Sequence, residues 1–133
     1  MRRWLGACAL IAILGCRVTP DREDLKPFDE KRLLLNYPEL YSRARSQSNL
    51  ALEAFYADAW ADLDEAAKAL QQTARFLPKA TDTPADAAIA EKLRADAERL
   101  GEAARAKDVR VANEVMQRIQ FNIRVLRPTL KND

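Results

Sequence analysis

From Pro38 to Leu126, apolar side chains recur at alternating intervals of three and four residues. That repeat places them on one face of an α-helix. Four such stretches follow one another. The first carries Leu40, Ala44, Ser48, Ala51 and Phe55, and the second Trp60, Leu63, Ala67, Leu70, Ala74 and Leu77. The third carries Ile89, Leu93, Ala97, Leu100 and Ala104, and the fourth Val109, Ala112, Met116, Ile119, Ile123 and Leu126. Residues that stop and start helices lie between them. Asp58 is positioned to cap the second helix, and Leu77-Pro78 to end it, because proline lacks an N–H and restricts its predecessor. Thr83, Pro84 and Asp86 are a capping residue, a first-turn proline and a first-turn acid. Gly101 stands near the end of the third stretch, Asp108 is placed to cap the fourth, and Pro128 follows it.

The first pair of stretches maps onto the second with a shift of 49 residues, matching Glu53 to Glu102, Arg75 to Arg124 and Leu77 to Leu126. Two αα-hairpins of equal length predict an all-α fold, an antiparallel four-helix bundle over residues 37–128, with a short tail at 129–133. Trp60, on its apolar face, is expected as a core anchor near one end of the bundle.

The pattern changes before residue 37. Arg2 and Arg3 precede an uncharged, mainly apolar run from Trp4 to Leu14, which suits a secretory leader and is too short to span a bilayer. The run ends in Ile13, Leu14, Gly15 and Cys16, which resembles a bacterial lipobox: an aliphatic residue, a small residue before the cut, then the cysteine that receives lipid. Cys8 also follows a small residue, but little of the apolar run precedes it. Residues 1–15 are therefore expected as a lipoprotein signal peptide and Cys16 as the lipid attachment site. Acylation with two or three chains would hold the protein stably at a membrane. Cys16 would be the only cysteine left, so no internal disulfide is expected. In the enterobacterial scheme Arg17, not Asp, after the cysteine favours the outer membrane. Residues 16–36 are charged and contain Pro20 and Pro27. They are expected as a spacer reaching roughly 65 Å when extended. Phe28 and Leu33-Leu34-Leu35 interrupt its polarity, either as a short helix packed on the bundle or as a dock for a partner.

Composition narrows the function classes. The net charge is +2, with 22 Lys plus Arg against 20 Asp plus Glu, and two of the basic residues are Arg2 and Arg3. The body is then neutral, which argues against nucleic acid as a partner. With only 3 glycines, no Gly-rich phosphate loop is present, and with no histidine the usual general base and metal ligand are missing. No Ser-His arrangement or G-x-S-x-G occurs, and no catalytic or metal residues are assigned. Asp62, Asp64 and Glu65 lie at the start of the second helix, where acids favour the helix dipole. Glu53 and Glu102 hold equivalent places, either facing each other as a carboxylate pair or solvated beside the hairpin loops. Phe121, Val125 and Val111 form a second apolar strip on the last helix, as Phe76, Ala69 and Ala66 do on the second. Such strips are usually core, because an inner helix meets two neighbours; the alternative is a partner-binding groove. Asn113, Gln117, Gln120 and Arg124 form a polar face expected to meet solvent.

Near the end of the last helix the chain reads Met116-Gln117-Arg118-Ile119-Gln120-Phe121-Asn122-Ile123-Arg124. This layout resembles the C-x-x-C-H-x-x-[FY]-R segment of cytochrome c′ proteins, secreted four-helix bundles of similar size. Met116 and Ile119 stand where the thioether cysteines would, Gln120 where the iron-binding histidine would, and Arg124 where the arginine would. Only the arginine matches. The resemblance implies a cytochrome c′-like bundle without haem, in which Met116 and Ile119 fill the seam, and it implies dimerisation through a helix pair. Together these readings give a non-enzymatic, lipid-anchored protein of the bacterial envelope that needs no cofactor. It would bind or scaffold an envelope protein. The alternative is a small-ligand or electron carrier of cytochrome c′ type, with an apolar cavity beside Ala44, Ser48 and Ala51.

Overall fold

A computed structural model describes residues 22–28 and 36–129. The leader, Cys16 and Leu33–Leu35 lie outside the described residues. The described chain forms a four-helix bundle with helices α1 (Tyr37–Tyr56), α2 (Trp60–Ala80), α3 (Pro84–Ala106) and α4 (Val109–Val125). No strand occurs among the described residues.

Local chemistry sets most of the boundaries. Asn36 caps α1 through a reciprocal box with Glu39, in which each side chain accepts a hydrogen bond from the other's backbone N–H. Thr83 accepts from the Asp86 N–H to start α3, with Pro84 in the first turn, and Asp108 accepts from the Val111 N–H to start α4. Two expectations fail. Asp58 does not cap α2. The residue at the cap position is Ala59, which has no side-chain acceptor, and Asp58 lies in the left-handed region at φ 59° inside the three-residue turn. A short polar side chain tolerates that conformation, which is needed to reverse the chain so tightly. Nor does Pro78 end α2, which continues to Ala80. In the last turn proline removes one hydrogen bond, to Ala74, and the buried Leu77 holds the turn in place. Gly101 is followed by another turn of α3, which closes at Lys107 with φ 52°.

The core is the predicted seam. Leu40, Leu63, Leu70, Leu77, Leu93, Leu100, Met116, Ile119 and Leu126 are buried, with alanines between them. Phe55, Trp60 and Ile89 are half-buried at its margin, and Trp60 meets the Phe55 ring edge-on at 6.3 Å between centroids. Val109 is an exception. It begins α4 at the end of the bundle, where no neighbour covers it, and is 57% exposed.

Polar pairs bind the helices to each other. Arg105 near the end of α3 donates to Asp64 near the start of α2 at 2.7 Å, and Asp64 also holds Lys68 at 3.0 Å. Arg118 of α4 meets Asp96 of α3 at 3.1 Å. Between α1 and α4, the Gln120 amide donates to Ser48 Oγ at 2.7 Å, and the Tyr37 hydroxyl donates to the Leu126 carbonyl. The interfaces of α2 with α3, α1 with α2 and α3 with α4 are extensive, whereas α1 and α4 touch sparingly.

Part of the expected spacer is docked. Residues 22–28 begin with a 3-10 turn, Arg22–Leu25, and lie along α1 and α2. Leu25 packs on the core, and Gln47 donates its amide to the Asp24 carbonyl at 2.7 Å. Arg43 donates to the Lys26 carbonyl and also covers the Phe28 ring, at 5.0 Å from its centroid. The Phe28 ring meets Phe76 edge-on at 5.4 Å. Phe28 therefore packs on the bundle without being part of a helix, and the leucines expected to share a short helix with it lie outside the described residues.

Candidate interaction surface

The residues singled out on α4 divide by direction. Met116 and Ile119 are buried, with 2% and 0% exposure, and take part in the core. Gln120 is not a solvent residue as expected. It is half-buried and bonded to Ser48. Ser48 is itself 1% exposed, and Ala44 and Ala51 are fully covered. The space expected beside these three small residues is thus reached by the Gln120 side chain, and the groove on this flank lies further along the helices. Arg124 is exposed on the rim of that groove.

The strip of Phe121, Val125 and Val111 divides, with Val111 packed against the core and the other two outside it. Phe121 is 58% exposed and Val125 42%, while Val111 is half-buried. The reason is the neighbourhood of α4: it packs broadly on α3 but sparingly on α1, so its third side is uncovered. The corresponding strip on α2 does become core or near-core, since α2 lies between α1 and α3. Ala66 and Ala69 are buried, and Phe76 is covered by Phe28.

Two grooves flank the exposed ridge of α4. The one between α3 and α4 has a volume of about 710 Å³ and is lined by Lys92, Asp96, Arg118 and Phe121, among others. The one between α1 and α4 has about 520 Å³, with Leu52, Phe55 and Tyr56 on the α1 side and Met116, Gln120 and Phe121 on the α4 side. Gln117 and Phe121 line both grooves. An apolar ring between two clefts with polar rims is the kind of surface that seats a partner side chain or helix. The Tyr37 and Ser48 hydrogen bonds hold α1 to α4 beyond one end of the second groove. It opens toward Tyr56, which is 77% exposed.

A third groove, about 330 Å³, lies under the docked segment at the α1–α2 turn. It brings Arg22 and Lys26 together with Glu53, Asp62 and Glu65. Glu53 therefore shares a groove with Arg22. Glu102 is exposed and is not among the residues lining this groove. Of the acidic trio at the start of α2, Asp64 ties α2 to α3, while Asp62 and Glu65 face this groove.

Burial and the nearby charge of Asp86 push the Tyr37 hydroxyl up to about 12. It is therefore a neutral donor at any physiological pH, which suits its bond to a main-chain carbonyl. Among the described residues no group of three or more His, Cys, Asp or Glu could hold a metal ion, and no helix is long and apolar enough to cross a membrane. No family model matches the chain, and no curated protein or solved structure matches it significantly.

Proposed function

We propose that this protein is a lipid-anchored, non-catalytic binding or scaffolding module of the bacterial envelope, whose partner surface is the exposed ridge of α4. The anchor rests on the sequence from Arg2 to Cys16. The partner surface rests on one observation above all: Phe121 stands 58% exposed between two grooves. Solvating an aromatic ring has a cost that burial against a partner recovers. The likeness to cytochrome c′ belongs to the same proposal. Its support is the four-helix layout, with Met116 and Ile119 turned into the core where haem-attaching residues would stand.

A photo-crosslinking residue placed at Phe121 in the full-length protein, in intact bacterial cells, tests the partner surface. The expected result is one dominant protein adduct that is missing when the probe stands at the exposed Ala88 of α3. Equal adduct patterns at both positions, or none at Phe121, would count against it.

The second reading, a small-ligand or electron carrier, is favoured by the presence of Met116 and Gln120 in the lining of the α1–α4 groove. Protein purified from its native membrane would then carry visible absorption or a co-purifying ligand. A colourless, ligand-free preparation sinks this reading, and a Soret band would instead overturn the haem-free one.

A further inference from the structure

The docked segment has a direction. Phe28 lies beside Phe76, and its carbonyl accepts from Gln72, toward the later turns of α2. Arg22 lies at the opposite end, in the groove shared with Ala57, Ala59 and Asp62 at the α1–α2 turn. The docked segment therefore begins, at Arg22, at the end of the bundle that carries this turn. The α3–α4 turn is at the same end, because Arg105 near the end of α3 is bonded to Asp64 near the start of α2. The exposed large hydrophobic side chains of this end are Tyr56, 77% exposed, and Val109, 57% exposed.

We infer that this end of the bundle lies against the surface of the bilayer that anchors the chain, with Tyr56 and Val109 facing the lipid headgroups. The inference rests on the lipoprotein reading of Cys16. Distance excludes the inverted orientation, and the exposed Tyr56 and Val109 mark the end that meets the surface. From Cys16 to Arg22 the chain spans at most about 22 Å, however extended. Along α2, from Asp62 beside Arg22 to Ala80 at the far turn, the rise is about 27 Å. An inverted bundle, resting on its α2–α3 turn, would hold Arg22 further from the bilayer than the leash reaches. Upright, the end with Tyr56 arrives at the headgroups with chain to spare.

The contact is interfacial rather than electrostatic. Arg105 is bonded to Asp64 and Arg110 to Glu114, and the groove at this end mixes both signs of charge. The exposed Lys107 of the α3–α4 turn is followed by Asp108 and matched in number by Asp58 of the α1–α2 turn. Tyrosine suits the headgroup layer, where its ring meets apolar material and its hydroxyl meets water. Anionic lipid is not required.

The test uses full-length protein made with its own leader in a bacterial host and reconstituted in phosphatidylcholine vesicles, with or without phosphatidylglycerol. Single-cysteine variants Tyr56→Cys, Val109→Cys and Asp82→Cys carry a fluorophore, and phosphatidylcholine with a spin-labelled headgroup is the quencher. All three sites are exposed, so the fold is retained, and Val109→Cys keeps Tyr56. Quenching at 56 and 109 is expected to exceed that at 82 several-fold, equally in both lipid mixtures. Equal quenching at all three sites, or stronger quenching at 82, overturns the orientation and leaves the lipid anchor standing. An intact mass without acyl chains on Cys16 overturns both.

Discussion

The Tyr37 hydroxyl, on the first residue of α1, donates a hydrogen bond to the carbonyl of Leu126, the residue that closes α4. The bond spans 89 positions of sequence and clasps the helices that otherwise touch least. Tyr37→Phe keeps the ring and removes the bond, and is expected to lower the unfolding free energy by about 1 kcal/mol. Chemical denaturation of both proteins at neutral pH checks this.

The same residue makes a prediction in alkali. Its folded pKa is raised from 10.0 to about 12, so the unfolded chain gives up this proton first. The stabilisation is complete below the unfolded value and disappears as the pH climbs from about 10 through about 12. Wild type should therefore lose more stability across that window than Tyr37→Phe does. Matching alkaline limbs for the two proteins would contradict the assignment.

Gly101 is buried inside α3, where alanine would normally gain about 1 kcal/mol. A Cβ there would stand 3.3 Å from both an Arg105 nitrogen and an Asp64 oxygen, and 3.7 Å from the Ala67 methyl. The ion pair must then shift, so Gly101→Ala is expected to change stability little. In an Arg105→Ala background one of the two close contacts is gone and Asp64 is freed from Arg105, so the same substitution should recover part of its gain. A double-mutant cycle on thermal unfolding measures the coupling.

Phe28 lies between the Phe76 ring and the Arg43 guanidinium. Phe28→Ala is expected to cost about 1–2 kcal/mol, from the lost ring and cation contacts. It should also release the segment that satisfies the Gln47 amide, so limited proteolysis near Lys26 should quicken before the bundle unfolds. An unchanged cleavage rate would mean that the docking does not depend on this ring.

Phe121 and Ile119 are close in sequence and opposite in role. Ile119→Ala is expected to cost about 2–5 kcal/mol, because it opens a cavity in the core. Phe121→Ala should stay within about 0.5 kcal/mol, since its ring is largely in solvent. If Phe121→Ala destabilised the isolated protein as strongly as Ile119→Ala, the ridge would be part of the fold and not a surface.

The bundle was legible because a period between three and four is a property of the sequence itself. Asn36 capping with Glu39 was also written there, as an Asn followed three residues later by a Glu, but the helix start was drawn at Pro38. Pro78 departs from expectation because a proline rule carries no information about how firmly Leu77 anchors the turn. The exposure of Phe121 is legible only as the alternative reading of its strip, a partner-binding groove. Its spacing matches that of Phe76, and only the tertiary arrangement decides that Phe76 is covered by Phe28 while the third side of α4 is left open. Likewise, nothing in the charged stretch after Arg22 announces that its carbonyls accept from Arg43 and Gln47. Those bonds join residues 17 and 23 positions apart.

The sparing contact between α1 and α4 also bears on how the chain folds. The broad interfaces join helices consecutive in the sequence, so most native contacts close short loops. Bundles dominated by such local contacts fold on the order of microseconds to milliseconds. The long-range closures, Gln120 to Ser48 and Tyr37 to Leu126, gain little until the three consecutive interfaces exist. They belong to the last step of assembly, and mutations there should quicken unfolding while leaving the folding rate nearly unchanged.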